Sequence, residues 1–200
     1  MKLNIGSSGR QFPGWIHLDR ERVPGAQLCD VRLGIPFGNA TVDVAVASHV
    51  IEHLHPFNEL PFVLQEVFRV LKPGGVFRVA VPDLVKLVSA YEDHSSPPSQ
   101  ATMALAESQR ELKDYVGVSY SGMPAALRFS VICFGNNSKM PYYDGHQWAA
   151  DLEALQWVLG RAGFTDVRPV EPQESRFPGL MTTYQDVEAA EEIVVEATRP

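Results

Sequence analysis

The sequence predicts an α/β fold built on a largely parallel sheet, and three stretches carry that prediction. VDVAVASHV, residues 42–50, is apolar almost throughout and rich in β-branched residues, the composition of a strand buried on both faces. In NELPFVLQEVFRVLKPGG, Leu60, Leu64, Val67 and Leu71 recur at helical spacing and make one apolar face. VFRVAVPD then reads as another buried strand. Strand, helix and strand from Val42 to Asp83 form a βαβ unit, which implies a right-handed parallel crossover.

The remaining elements are taken in chain order. KLNIG is a short strand opening into the small-residue turn GSSGR, WIHLD is a second strand ending in an acid, and AQLCDV is a third. LGIPFGNAT is turn-rich. Asn58 is placed to cap the long helix, Pro61 falls in its first turn, and Lys72-Pro73-Gly74-Gly75 stops it. LVKLVSAY reads as helix, EDHSSPPSQ as a polar break and TMALAESQRELKDYV as helix, while PAALRFSVICF fits helix or strand equally. In DLEALQWVLGRAGF, Leu152, Leu155, Leu159 and Ala162 share a face between the capping Asp151 and the terminating Gly163. TDVRPV and EEIVVEAT are two further strands. One domain over residues 1–200 is expected, with a variable insertion over about 84–143 covering the substrate.

Bulk properties narrow the class. At 45% hydrophobic and 20% charged, the 200 residues can bury a substantial core. A net charge of −7 argues against a general nucleic-acid binder, which needs a basic face for phosphates. Cys29 and Cys133 match no zinc or redox spacing and read as free thiols in a reducing compartment. The opening MKLNIGSSG does not read as a signal peptide and no apolar run is long enough to span a bilayer, so a cytoplasmic protein without membrane insertion is expected.

In open α/β sheets, ligands bind beyond the carboxyl ends of the strands where strand order reverses. The residues after each strand are therefore the candidate site: Gly6, Ser7, Ser8 and Gly9 after the first, Asp19 after the second, Asp30 after the third, Ser48 and His49 after the fourth, Pro82 and Asp83 after the fifth. Glycines let a ligand approach the backbone. An acid ending the second strand suits the two ribose hydroxyls of an adenosine, and an acid one strand on can accept from the adenine amine.

The ordered set LNIGSSG, HLD, CDVRLGIPFGNATVDVAVASHVIEHL and EVFRVLKPGGVFRVAVPD resembles the class I S-adenosylmethionine-dependent methyltransferases, in the group that includes the ubiquinone and menaquinone biosynthesis enzymes. With DGHQWAAD, residues 144–151, as a GHxW element after the variable middle, it is most similar to small methyltransferases associated with glycan modification. The likeness is dense over residues 2–83 and thinner over about 144–200. It implies a Rossmann-like seven-stranded sheet with helices on both faces and the last strand antiparallel. It also implies S-adenosylmethionine as cofactor: Gly6, Ser7 and Gly9 along its methionine part, Asp19 on the ribose, Asp30 on the adenine amine with Val31 beside the ring, and Ser48 and His49 at the methionine end.

Two departures stand out. Asn4 occupies the region where the family carries an acid. Gly6 and Asp19 are only thirteen positions apart, whereas a full helix between these strands needs about 20. The first helix must be reduced, which leaves Phe12 to Ile16 for a lid or a homodimer contact.

The expected acceptor is a small molecule or glycan, presented through a hydroxyl. A base taking its proton contributes about 10²–10⁴ in rate. His146 and His53 are the candidates, with Glu52, Tyr142 and Tyr143 nearby in sequence, and His146 is preferred because it lies in a polar, aromatic segment. His49, Glu52 and His53 also spell H-x-x-E-H, a zinc-peptidase spacing. That pattern needs one helix face, whereas His49 ends a buried strand and Pro56 and Pro61 limit the next segment to a short turn, so no metal is expected. A dinucleotide oxidoreductase is disfavoured because GSSGR lacks a third glycine and a helix start. A non-catalytic S-adenosylmethionine-binding protein, or a subunit needing a partner, stays open.

Overall fold

A computed structural model describes residues 1–92, 126, 129, 145–184 and 192–200. The strands are β1 (Lys2–Ile5), β2 (Trp15–Asp19), β3 (Gln27–Leu28), β4 (Val42–Ser48), β5 (Leu71–Pro82), β6 (Thr165–Pro169) and β7 (Glu192–Thr198). The helices are α1 (Glu59–Val70), α2 (Leu84–Glu92), α3 (Leu152–Arg161) and the four-residue α4 (Leu180–Thr183), with 3-10 turns at Val31–Leu33 and Ile51–His53.

All seven strands form one sheet in the order β3-β2-β1-β4-β5-β7-β6. β1 pairs in parallel with β2 and β4, and β4 with β5, while β7 runs antiparallel between β5 and β6. Strand order therefore reverses between β1 and β4, beneath the Gly6 and His49 loops. This is the expected Rossmann-like methyltransferase sheet with its last strand antiparallel.

Alternation along β4 from Val44 onward divides the core in two, and Val42 joins the first side across a register shift between Val42 and Val44. Val42, Ala45 and Ala47 face a cluster with Leu60, Val63, Leu64, Val67 and Val70 of α1 and Leu155 and Leu159 of α3. Val44 and Val46 face the other side, against Phe12, Trp15, Val76, Leu180 and Tyr184. The long helices α1 and α3 thus cover one face and the short α4 sits on the other.

The second face explains the reduced first helix. No helix joins β1 to β2; residues 6–14 run as turns. In its place Phe12 packs edge-on to Trp15 at 5.9 Å between ring centroids and tilted on Tyr184 at 5.0 Å. Trp15 Nε1 donates to Thr183 Oγ1 at 3.1 Å. This corrects the expectation of a lid or dimer contact for these two rings: Phe12 and Trp15 are buried, because apolar surface stripped of its helix must be covered by something. The Asn4 departure fits the same arrangement. The buried Asn4 amide meets His17 Nδ1 at 3.2 Å across the β1–β2 pair, and His17 Nε2 accepts from the Phe12 amide at 3.0 Å.

Local readings fare unevenly. Asp151 caps α3 through its carboxylate on the Ala154 amide at 2.8 Å. Asn58 stands at the N-cap of α1 but makes no side-chain cap bond. The third strand shrinks from AQLCDV to Gln27–Leu28, because Asp30 turns inward to cap the adjoining 3-10 turn. α1 ends at Val70, before Lys72, and the strand pairing already begins at Leu71. The TMALAESQRELKDYV helix lies outside the described residues, as does most of PAALRFSVICF, of which Ala126 and Phe129 are helical.

Candidate functional site

The loop after β1 turns back sharply. The amides of Gly6 and Ser7 both donate to Leu18 O, at 2.9 and 3.1 Å. Gly6 adopts φ 68°, and a Cβ there would lie 2.4 Å from Val50 Cγ2, so the β1 and β4 loops touch at a point that excludes a side chain. Gly9, at φ 81°, opens on free space.

The two acids are held differently. Asp19 is buried and accepts the Ser8 amide at 2.7 Å and the Glu21 amide at 2.9 Å. A carboxylate has about four acceptor positions, so two remain for ribose hydroxyls. Asp30 accepts the Arg32 amide and is gripped by the Arg32 guanidinium, Nε at 2.9 Å and a terminal nitrogen at 2.7 Å. The Arg32 hydrogen bonds hold the Asp30 carboxyl below its usual range. Binding an adenine amine there requires Arg32 to yield a contact. Val31 is buried in the α1-side cluster beside them.

β4 ends at half-buried Ser48, which is followed by His49 in the left-handed region at φ 54°. Its amide donates to Ala80 O at 3.0 Å, and its ring bridges Glu52 Oε1 at 3.2 Å and Glu192 Oε1 at 2.5 Å. Burial opposes protonation of this ring, but the two carboxylates outweigh it and raise the imidazole to about 10. Glu52 is 2% exposed; its burial favours the neutral acid, yet the His49 hydrogen bond wins and lowers its pKa.

The GHxW element docks on this turn. The Gln147 amide donates to Glu52 O at 2.7 Å, and Trp148 Nε1 to Ile51 O at 2.9 Å. His146 and His53 thereby meet edge to face, with ring centroids 4.7 Å apart, and His146 Nε2 stands 4.0 Å from Glu52 Oε1. The two candidate bases, separated by 93 positions, share one half-buried place. Tyr142 and Tyr143 lie outside the described residues.

Among the described residues, three buried side-chain oxygens at this end of the sheet have no hydrogen-bond partner: Ser7 Oγ, Glu52 Oε2 and Glu192 Oε2. Buried polar atoms are rarely left so. Ser7 follows β1, Glu52 follows β4, and Glu192 pairs with Pro82 at the end of β5. The open backbone at Gly9, the spare acceptor positions of Asp19 and the orphaned Ser7 hydroxyl fit a polar adenosyl cofactor. Glu192 escaped the sequence reading because its link to His49 spans 143 residues and leaves no local pattern. Glu52 had only its place in H-x-x-E-H as a signal. A separate cavity of about 870 Å³, lined by residues such as Arg168, Glu174 and Met181, shares none of these side chains.

Residues 12–79 match the family model described as a methyltransferase domain. A Mycolicibacterium smegmatis protein named "Probable S-adenosylmethionine-dependent methyltransferase" is 34% identical over 109 residues, covering 49% of this chain and 41% of that protein. The chain thus spans less than half the length of that curated relative. Among solved structures, a "putative S-adenosylmethionine dependent methyltransferase" from Listeria monocytogenes aligns over 100% of this chain and 90% of its own, at 10% identity and a TM-score of 0.52. The CMeT domain of the citrinin polyketide synthase aligns over 99% of this chain and 46% of its own, at 11% identity and a TM-score of 0.53. At these identities the structural likeness speaks for the fold alone. In the sheet order and in the sequence of residues 12–79, the chain is thus similar to S-adenosylmethionine-dependent methyltransferases.

Proposed function

We propose that the chain transfers a methyl group from S-adenosylmethionine to a hydroxyl oxygen of a small-molecule or glycan acceptor. The observation that carries this reading is continuity. The loop that meets Gly6 through Val50 runs directly into the turn bearing Glu52 and His53, onto which His146 docks. Cofactor-side and acceptor-side groups therefore stand on one short segment.

Ser7, Gly9, Asp19 and the Ser48–His49 loop would hold the cofactor, with Asp30 and Val31 at its adenine end. When bound, S-adenosylmethionine supplies an electrophilic sulfonium methyl, and transfer breaks the carbon–sulfur bond, forms the carbon–oxygen bond and leaves a neutral thioether. Because charge is lost along the way, the protein's main task is positioning the acceptor. His53 and His146 can accept the hydroxyl proton or orient the oxygen. The His49–Glu192 pair steadies Glu52, whose carboxylate stands close to both rings.

The test is transfer of labelled methyl from S-adenosylmethionine across a panel of sugars, phenols and small alcohols. Turnover on a hydroxyl acceptor is expected, at least about tenfold lower in His146→Ala with cofactor affinity retained. Cofactor binding without turnover on any acceptor would instead favour a non-catalytic binding protein or a partner-dependent subunit.

A further inference from the structure

We infer that Glu52, His53 and His146 form a divalent-cation site that receives the acceptor's oxygen. One ligand atom from each residue lies within 4.8 Å of the others. Metal–ligand bonds of about 2.0–2.2 Å put ligands on one ion roughly 3–3.5 Å apart, so small side-chain rotations close the set. Two imidazoles and one carboxylate suit zinc, manganese or cobalt, and three protein ligands leave positions open for oxygens from outside.

Glu52 separates this cluster from a chance surface grouping. It is buried, with one carboxylate oxygen on His49 and Oε2 without any partner. The His49 ring serves only the Oε1 side, and a buried acceptor left bare on the Oε2 side is costly unless a further donor or cation completes the shell. The surrounding bonds are those of ligand-orienting partners. His49 steadies the carboxylate and is itself held by Glu192 at 2.5 Å, while the backbone of Glu52 receives the Gln147 amide beside His146. The H-x-x-E-H pattern is thus half used: His49 is turned away to Glu192, and the third ligand comes from the GHxW element instead.

On the methyl-transfer reading the open positions would serve the acceptor, and only this role rests on that reading. There the ion would hold a hydroxyl, or two neighbouring hydroxyls of a sugar, and make the oxygen more acidic. The site itself rests on the three side chains and the orphaned oxygen.

The protein is stripped with EDTA, dialysed, and titrated calorimetrically with ZnCl₂ and with MnCl₂. Circular dichroism checks each variant for folding. The expected result is one equivalent bound by at least one of the two ions, weakened at least tenfold in Glu52→Gln, His53→Ala and His146→Ala. The exposed neighbour His55→Ala should bind as the parent does. No saturable binding, or binding that survives all three ligand variants, overturns the inference. S-adenosylhomocysteine titrated into the same samples separates the two readings. Methyl transfer undiminished by EDTA sinks the metal role alone, whereas stoichiometric metal binding with no cofactor binding sinks the methyl-transfer reading alone.

Discussion

Gly6 shows how tightly single residues constrain the loops at the reversal of strand order. Its φ of 68° lies in the left-handed region, and a methyl group there would strike Val50 Cγ2. Two penalties therefore fall on Gly6→Ala: about 1–2 kcal/mol for the backbone and a further cost for the contact. Urea unfolding should show both, and adding Val50→Ala should recover only the steric part. Ser7 is the opposite case, since its hydroxyl is buried without a partner and its removal should cost the free protein little. His49 carries the same lesson in another form. Its left-handed backbone is sustained by two carboxylates, one three residues away and one at the start of β7. The first partner was readable in the sequence and the second was not. A contact between residues so distant in the chain leaves no periodicity.

At the scale of elements, Arg78 on β5 and Glu196 on β7 are register partners, with side chains fully buried. Arg78 also donates to Glu174 O at 2.7 Å and Pro172 O at 2.8 Å, while Glu196 accepts Ser175 Oγ and the Arg176 amide. One pair thereby fastens the segment after β6 to the second face of the sheet. Arg78→Met should cost about 1–3 kcal/mol, because the Glu174 and Pro172 carbonyls and one Glu196 oxygen lose their donor while Glu196 keeps the Arg176 guanidinium at 3.4 Å; a loss below about 0.5 kcal/mol in denaturant unfolding would show the pair to be peripheral. Glu66 and Arg69 of α1 do similar work on the other face: Glu66 accepts the Ile35 amide and Arg69 donates to the Ile35 and Phe37 carbonyls. That is the physical reason why IPF and EVFRV belong to one recognisable block. β4, α1 and α3 were legible because burial imposes strong periodicity on them. β3 was overread because its apolar pattern continues into a turn that Asp30 caps. The aromatic cover by Phe12 and Trp15 was misread because its partner, Tyr184, lies far along the chain.

Across the whole molecule, the order β3-β2-β1-β4-β5-β7-β6 puts the reversal point, the two strand-end acids and the three orphaned oxygens at the same end of the sheet. No helix among the described residues is long and apolar enough to cross a membrane. The strand-end acids and glycines were readable because topology alone forces strand-end residues together. The meeting of His53 with His146 was not, because it depends on the Gln147 and Trp148 bonds to the Ile51–Glu52 backbone. The central claim is that this sheet end binds an adenosyl cofactor, and calorimetric titration with S-adenosylhomocysteine tests it most directly. One equivalent should bind to the parent protein, and Ser7→Ala should keep its stability while its affinity falls by about threefold to tenfold, the worth of one hydrogen bond. Absence of saturable binding at millimolar ligand, or a Ser7→Ala variant that loses stability and keeps full affinity, would contradict it.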